Sequence, residues 1–174
     1  MRKILFLAAF VVVALAVAGT AALATGNGGK KFSAKLTGFQ EVPAISTAAS
    51  GTFEAKLDGE ELSYTLSYSG IEGGAAFASH IHLGQPGVNG AVSAFLCGGG
   101  DKPACPATEG TVTGVIDPAD IIGPAGQGIA AGEFDELIRA MRAGVTYANV
   151  HSMGAAAPLP SFPGGEIRGK IKRG

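Results

Sequence analysis

The chain has no tryptophan, two cysteines and three histidines in 174 residues, and only 16% of its residues are charged. Each shortage excludes something. Two cysteines rule out a four-thiolate zinc site. Three histidines are too few for two metal ions held by imidazole. Thirteen Lys and Arg against 14 Asp and Glu leave no basic excess, so no stripe for nucleic acid exists. The closing Lys170, Lys172 and Arg173 are few and alternate, as on a solvated strand face. No GxSxG elbow is present, and the glycines of 84–90 lack the GK[ST] ending of a phosphate loop. No pair of carboxylates stands out from solvated strand positions as a hydrolytic couple.

What the chain does have begins with a targeting signature. Arg2 and Lys3 precede an apolar run from Ile4 to Val17, and Ala22-Leu23-Ala24 fits a small-x-small cleavage site. Residues 1–24 are read as a signal peptide and 25–30 as a flexible tether, with one domain over 31–174. Contact with a membrane is then expected only if the apolar segment stays uncleaved. The expected location is secreted, periplasmic or at the cell surface. Cys97 and Cys105 flank a Gly/Pro loop, and in an exported chain their simplest reading is a local disulfide. Seven intervening residues do not match CxxC-type metal spacing.

Apolar and polar residues alternate over 31–36, 52–57 and 62–68, the period of a half-buried strand. Asp58-Gly59-Glu60 reads as a tight hairpin between two of them. Further strands are expected over 77–83, 91–96, 110–116, 146–151 and 166–171. In the first of these Phe77, Ser79, Ile81 and Leu83 are assigned to one face, with Ala78, His80 and His82 opposite. One segment has another period: Phe134, Leu137, Ile138 and Met141 form a helical apolar stripe, followed by Gly144 as C-cap. The fold class is all-β, a Greek-key-like antiparallel β-sandwich of about eight strands with one short amphipathic helix capping an end.

The histidines are the sharpest candidates for chemistry. His80 and His82 are two apart on one strand, so they share a face ~6.5–7 Å apart, and His151 on another strand could complete a three-nitrogen site. Neutral imidazoles suit zinc or copper, and three protein ligands leave a fourth position open. A metal-free polar cluster is the other reading of the same residues. Glu166 and Arg168 share a face of the last strand. In either reading Glu166 is expected to orient a histidine or fill a coordination site, with Arg168 neutralising the acid.

Several segments together resemble the chordin-type (CHRD) domain in a bacterial, secreted form. They are 36–43 (LTGFQEVP) with Ala49-Ser50-Gly51, Leu62-Ser63-Tyr64, 78–84 (ASHIHLG) with Pro86-Gly87, Arg142-Ala143-Gly144 leading to 147–152 (YANVHS), and 163–169 (PGGEIRG). The stretch 153–162 is longer than the short link usual before the last motif, and 97–105 looks like a local elaboration. The resemblance implies an extracellular β-sandwich module; with no complete catalytic constellation in the sequence, the expected role is a non-catalytic binding or structural module, with an envelope or extracellular protein as expected partner. It does not imply an enzyme. The His80-Ile81-His82 strand is also similar to the His-x-His strand of copper–zinc superoxide dismutase. The alternative function is therefore a mononuclear copper or zinc protein on His80, His82 and His151, with dismutase-like redox activity.

Overall fold

A computed structural model describes residues 30–154 and 161–174. The signal peptide expected over 1–24, and the tether as far as residue 29, lie outside the described residues. Nine strands form one antiparallel sheet: β1 (Lys31–Thr37), β2 (Ser50–Asp58), β3 (Glu61–Ser69), β4 (Ala75–Leu83), β5 (Ala91–Cys97), β6 (Gly110–Ile116), β7 (Thr146–Met153), β8 (Phe162–Lys170) and the two-residue β9 (Lys172–Arg173). Their order is β5-β4-β7-β8-β1-β2-β3-β6, with β9 added to β1. The eight expected strands are all present, and β9 is a short ninth.

Alternation dictates how β1, β2 and β3 lie. Phe32, Ala34, Leu36, Phe53, Ala55, Leu57, Leu62, Tyr64, Leu66 and Tyr68 point inward and are buried, while most of their neighbours are exposed. Gly59, at φ 61°, turns β2 into β3 with the register Asp58↔Glu61. The sheet then curls until its two ends approach. Tyr64 Oη of β3 donates to the Leu96 carbonyl of β5 at 2.6 Å, a bond across the fold rather than along the ladder. Inside lies a single apolar cluster drawn from both halves of the sheet.

The helix forms where its period predicts. α1 (Phe134–Ala143) buries Phe134, Leu137, Ile138 and Met141 in that same core, with Asp135 and Glu136 in its first turn and Arg142 in its last. Gly144 takes the left-handed conformation at φ 69° and ends it. The cysteines are joined: Cys97, at the end of β5, is bonded to Cys105. Among the described residues no helix is long and apolar enough to cross a membrane.

One expected facing is wrong. Phe77 does not share the core face with Ile81; it is 42% exposed. The pairing of β4 with β7 slips between Ala76 and Ala78, and a bulge there changes the parity of everything before it.

Candidate metal centre

β4 and β7 are neighbours in the half-sheet β5-β4-β7-β8, and their register sets Ala78 opposite His151, His80 opposite Asn149 and His82 opposite Tyr147. Ile81, Ala148 and Val150 fill the core side of these strands. By the two-residue period, His80, His82, Tyr147, Asn149 and His151 occupy the other side. On an open sandwich that side would be wet. Here His80, His82 and His151 are buried, and Asn149 is 1% exposed. Aromatic rings supply much of the cover. Phe95 of β5 lies 4.7 Å from the His80 ring, Phe77 lies 5.9 Å from His151, and Tyr147 stacks on His82 at 4.7 Å.

The three imidazoles converge. Each offers a ring nitrogen, and the three atoms lie within 4.8 Å of one another. His80 Nδ1 is 3.0 Å from His151 Nε2. Two of the rings are held by main-chain carbonyls, which can only accept. His82 Nδ1 donates to Gly90 O at 3.0 Å and His151 Nδ1 donates to Pro163 O at 2.9 Å. Both Nε2 atoms therefore carry lone pairs directed at the cluster, the arrangement that second-sphere carbonyls impose on metal-binding histidines. Between them sits the Asn149 amide, with Nδ2 2.8 Å from His151 Nε2 and Oδ1 3.1 Å from His82 Nε2.

From Gly90 O through His82, Asn149 and His151 to Pro163 O there are four contacts. Each neutral imidazole brings one N–H, and the amide can turn only one N–H-bearing end toward a neighbour. Three protons must serve four contacts. Flipping the amide or moving a proton to the other ring nitrogen relocates the deficit and never removes it. In the carbonyl-anchored state, an oxygen lone pair of Asn149 faces a nitrogen lone pair of His82. That contact has no proton to bridge it.

The environment opposes filling that gap with a proton. Burial, with His151 and His82 beside it, lowers the His80 pKa to about 3. Burial lowers that of His82 to about 4, against the opposing pull of its bond to Gly90. Burial also lowers His151. All three are neutral near pH 7, the protonation state that ligates metal.

Glu166 and Arg168 have other roles than expected. Glu166, fully buried, accepts from Thr47 Oγ1 at 2.7 Å, from the Glu72 and Gly73 amides at 2.8 and 3.0 Å, and from Ser152 Oγ. A Cβ on Gly73 would overlap Ser152 Oγ, so only glycine lets the chain come this close to the carboxylate. Continuing the register Asn149↔Arg168 would put His151 opposite Glu166. The β7–β8 pairing instead breaks between Val150 and Ser152, and His151 bonds to Pro163. Arg168 does not neutralise Glu166. Its Nε donates to Gln40 O and its Nη1 to Asn89 Oδ1 at 3.1 Å, and the carboxylate it pairs with among the described residues is that of Glu41, at 3.7 Å. Arg168 still borders the cluster, because its guanidinium lies 4.6 Å over the Tyr147 ring that stacks on His82.

Asn149 and Tyr147 are the site residues that sequence reasoning missed. Their signal was present: Tyr147, Asn149 and His151 are spaced by two on one strand. The carbonyls of Gly90 and Pro163 carry no such signal, because any residue could supply them.

Among curated proteins, none matches the chain. The family model of the CHRD domain matches residues 32–171, from the second residue of β1 to the last residue before β9. The matched span contains all three histidines, Asn149, the carbonyls that anchor the rings, and the Cys97–Cys105 loop. With most of its length covered by that match, the chain belongs to the CHRD domain family.

Proposed function

We propose that this CHRD domain is an exported, non-catalytic binding module whose ligand is one zinc or copper(II) ion, held by His80, His82 and His151. The observation that supports it is the convergence of three buried, neutral imidazoles, with the His82 Nε2 lone pair facing the Asn149 Oδ1 lone pair across a contact that no proton bridges. Three nitrogens without sulfur suit zinc and copper(II) over softer ions. An added proton would fill the same gap. Burial, which holds the His82 pKa near 4, disfavours it. Export is supported by the leader signature of residues 1–24 and by a disulfide that fits an oxidising compartment.

Zinc titration of chelator-treated protein, followed by elemental analysis after dialysis, tests the reading. One zinc per chain is expected in wild type, with retention lost in His82→Ala. Retention well below one in wild type, or equal retention in the variant, would overturn it.

A further inference from the structure

We propose that Asn149 Oδ1 is the fourth ligand of this ion, which closes the coordination sphere and makes the centre a holding site with no position left for substrate. The inference rests on the metal reading above and adds to it the identity of the fourth donor. Three histidines alone would leave the arrangement used by catalytic zinc, with water in the open position.

The placement of Asn149 carries the argument. It stands at the middle of the triad's own face, one pair away from His151 and directly opposite His80 in the ladder. Its backbone is held by Ser79, whose hydroxyl donates to the Asn149 carbonyl. At 1% exposure its amide oxygen is effectively shut off from bulk water. Among the described residues the one hydrogen-bonding contact of that oxygen is His82 Nε2 at 3.1 Å, which has no proton to give while Nδ1 serves Gly90. Two acceptors held this close in a buried site repel each other, unless both direct their lone pairs at one cation.

The spacings agree. Ligand atoms about 2.0–2.1 Å from one tetrahedral ion lie roughly 3.3 Å apart. Asn149 Oδ1 to His82 Nε2 is 3.1 Å and His80 Nδ1 to His151 Nε2 is 3.0 Å, both near that separation, while the three imidazole nitrogens together span up to 4.8 Å and would close in around an ion. His80 would then ligate through Nδ1 while His82 and His151 ligate through Nε2, because only the latter two have Nδ1 committed to carbonyls, and the Asn149 amide would turn its Nδ2–H away from His151 Nε2 to free that lone pair. Phe95 packs edge-on against the His80 ring and Tyr147 stacks on the His82 ring, which restricts the space beside these two ligands.

Cobalt(II)-loaded protein gives the test, with azide as the probe of an open position. The visible spectrum of the wild type should be that of a tetrahedral ion and should not change on adding azide. Asn149→Ala should still take up cobalt, should respond to azide, and should bind zinc at least about tenfold more weakly. Asn149→Asp, which keeps an oxygen in place, should remain inert to azide, and this variant separates ligand loss from general disruption. An azide-sensitive wild type would overturn the closure while leaving the metal reading intact. A wild type that takes up neither cobalt nor zinc would overturn both.

Discussion

Glu41 and Arg168 show burial outweighing a neighbouring cation. The Glu41 carboxylate is 6% exposed, with Oε2 3.7 Å from Arg168 Nε and Oε1 buried with no hydrogen-bond partner among the described residues. Burial pushes its pKa from an ordinary 4.5 up to about 7, even though Arg168 pulls the other way. Ion-pair distance alone would suggest the opposite shift, but 3.7 Å is too long for a hydrogen bond, and Arg168 Nε donates to Gln40 O instead. Between pH 4.5 and 7 the folded chain therefore holds the Glu41 proton more tightly than the unfolded chain does. The stability owed to Glu41 is complete below 4.5 and is lost as pH rises through 7. Glu41→Gln removes a charge that folding disfavours. In urea denaturation it should match the wild type near pH 5 and exceed it near pH 8, by on the order of 1–3 kcal/mol. A variant less stable than wild type at pH 8 would mean that the pairing with Arg168 dominates.

At the scale of elements, legibility followed the way each strand is buried. β1, β2 and β3 have one dry face, so their alternation gave both existence and orientation. β7 is buried at Thr146 to Ser152 on both sides, and such a strand carries no period from which to read its faces. The breaks at Phe77 and between Val150 and Ser152 left no mark in the sequence. They are what exposed Phe77 and gave Glu166 to Ser152, Thr47 and two amides rather than to a histidine. The histidine cluster was legible because spacing by two survives wherever a strand is regular, as β4 is against β7 from Ala78 to Leu83.

The loop after β5 makes an element-scale prediction. Cys97–Cys105 closes a short segment that is already tied down, since Tyr68 Oη donates to Pro106 O and Ala76 N donates to Ala107 O at 2.7 Å. On the loop-closure model such a bridge contributes ~2–3 kcal/mol, and the pinned loop should bring the effect toward the lower figure. The double variant Cys97→Ala/Cys105→Ala should melt at a lower temperature and bind zinc as wild type does. Unchanged melting, or loss of zinc binding with the fold retained, would contradict this.

Across the whole molecule, the site takes advantage of a feature sandwiches seldom have, a dry outer face. The core is filled by both halves of the curled sheet and does not depend on the histidines. The second dry layer is made by Phe95, Tyr147, the Gly90 turn and the Pro163 segment closing over β4 and β7. That layer is where neutral imidazoles and an amide are brought together around a contact that no proton bridges. The measurement that bears most directly on this is X-ray absorption at the zinc edge of the loaded protein. Four light donors at about 2.0–2.1 Å, three of them with imidazole outer-shell scattering, are expected. A shell dominated by water or carboxylate oxygen, or with fewer than three imidazoles, would place the ion elsewhere and contradict the assignment to His80, His82 and His151.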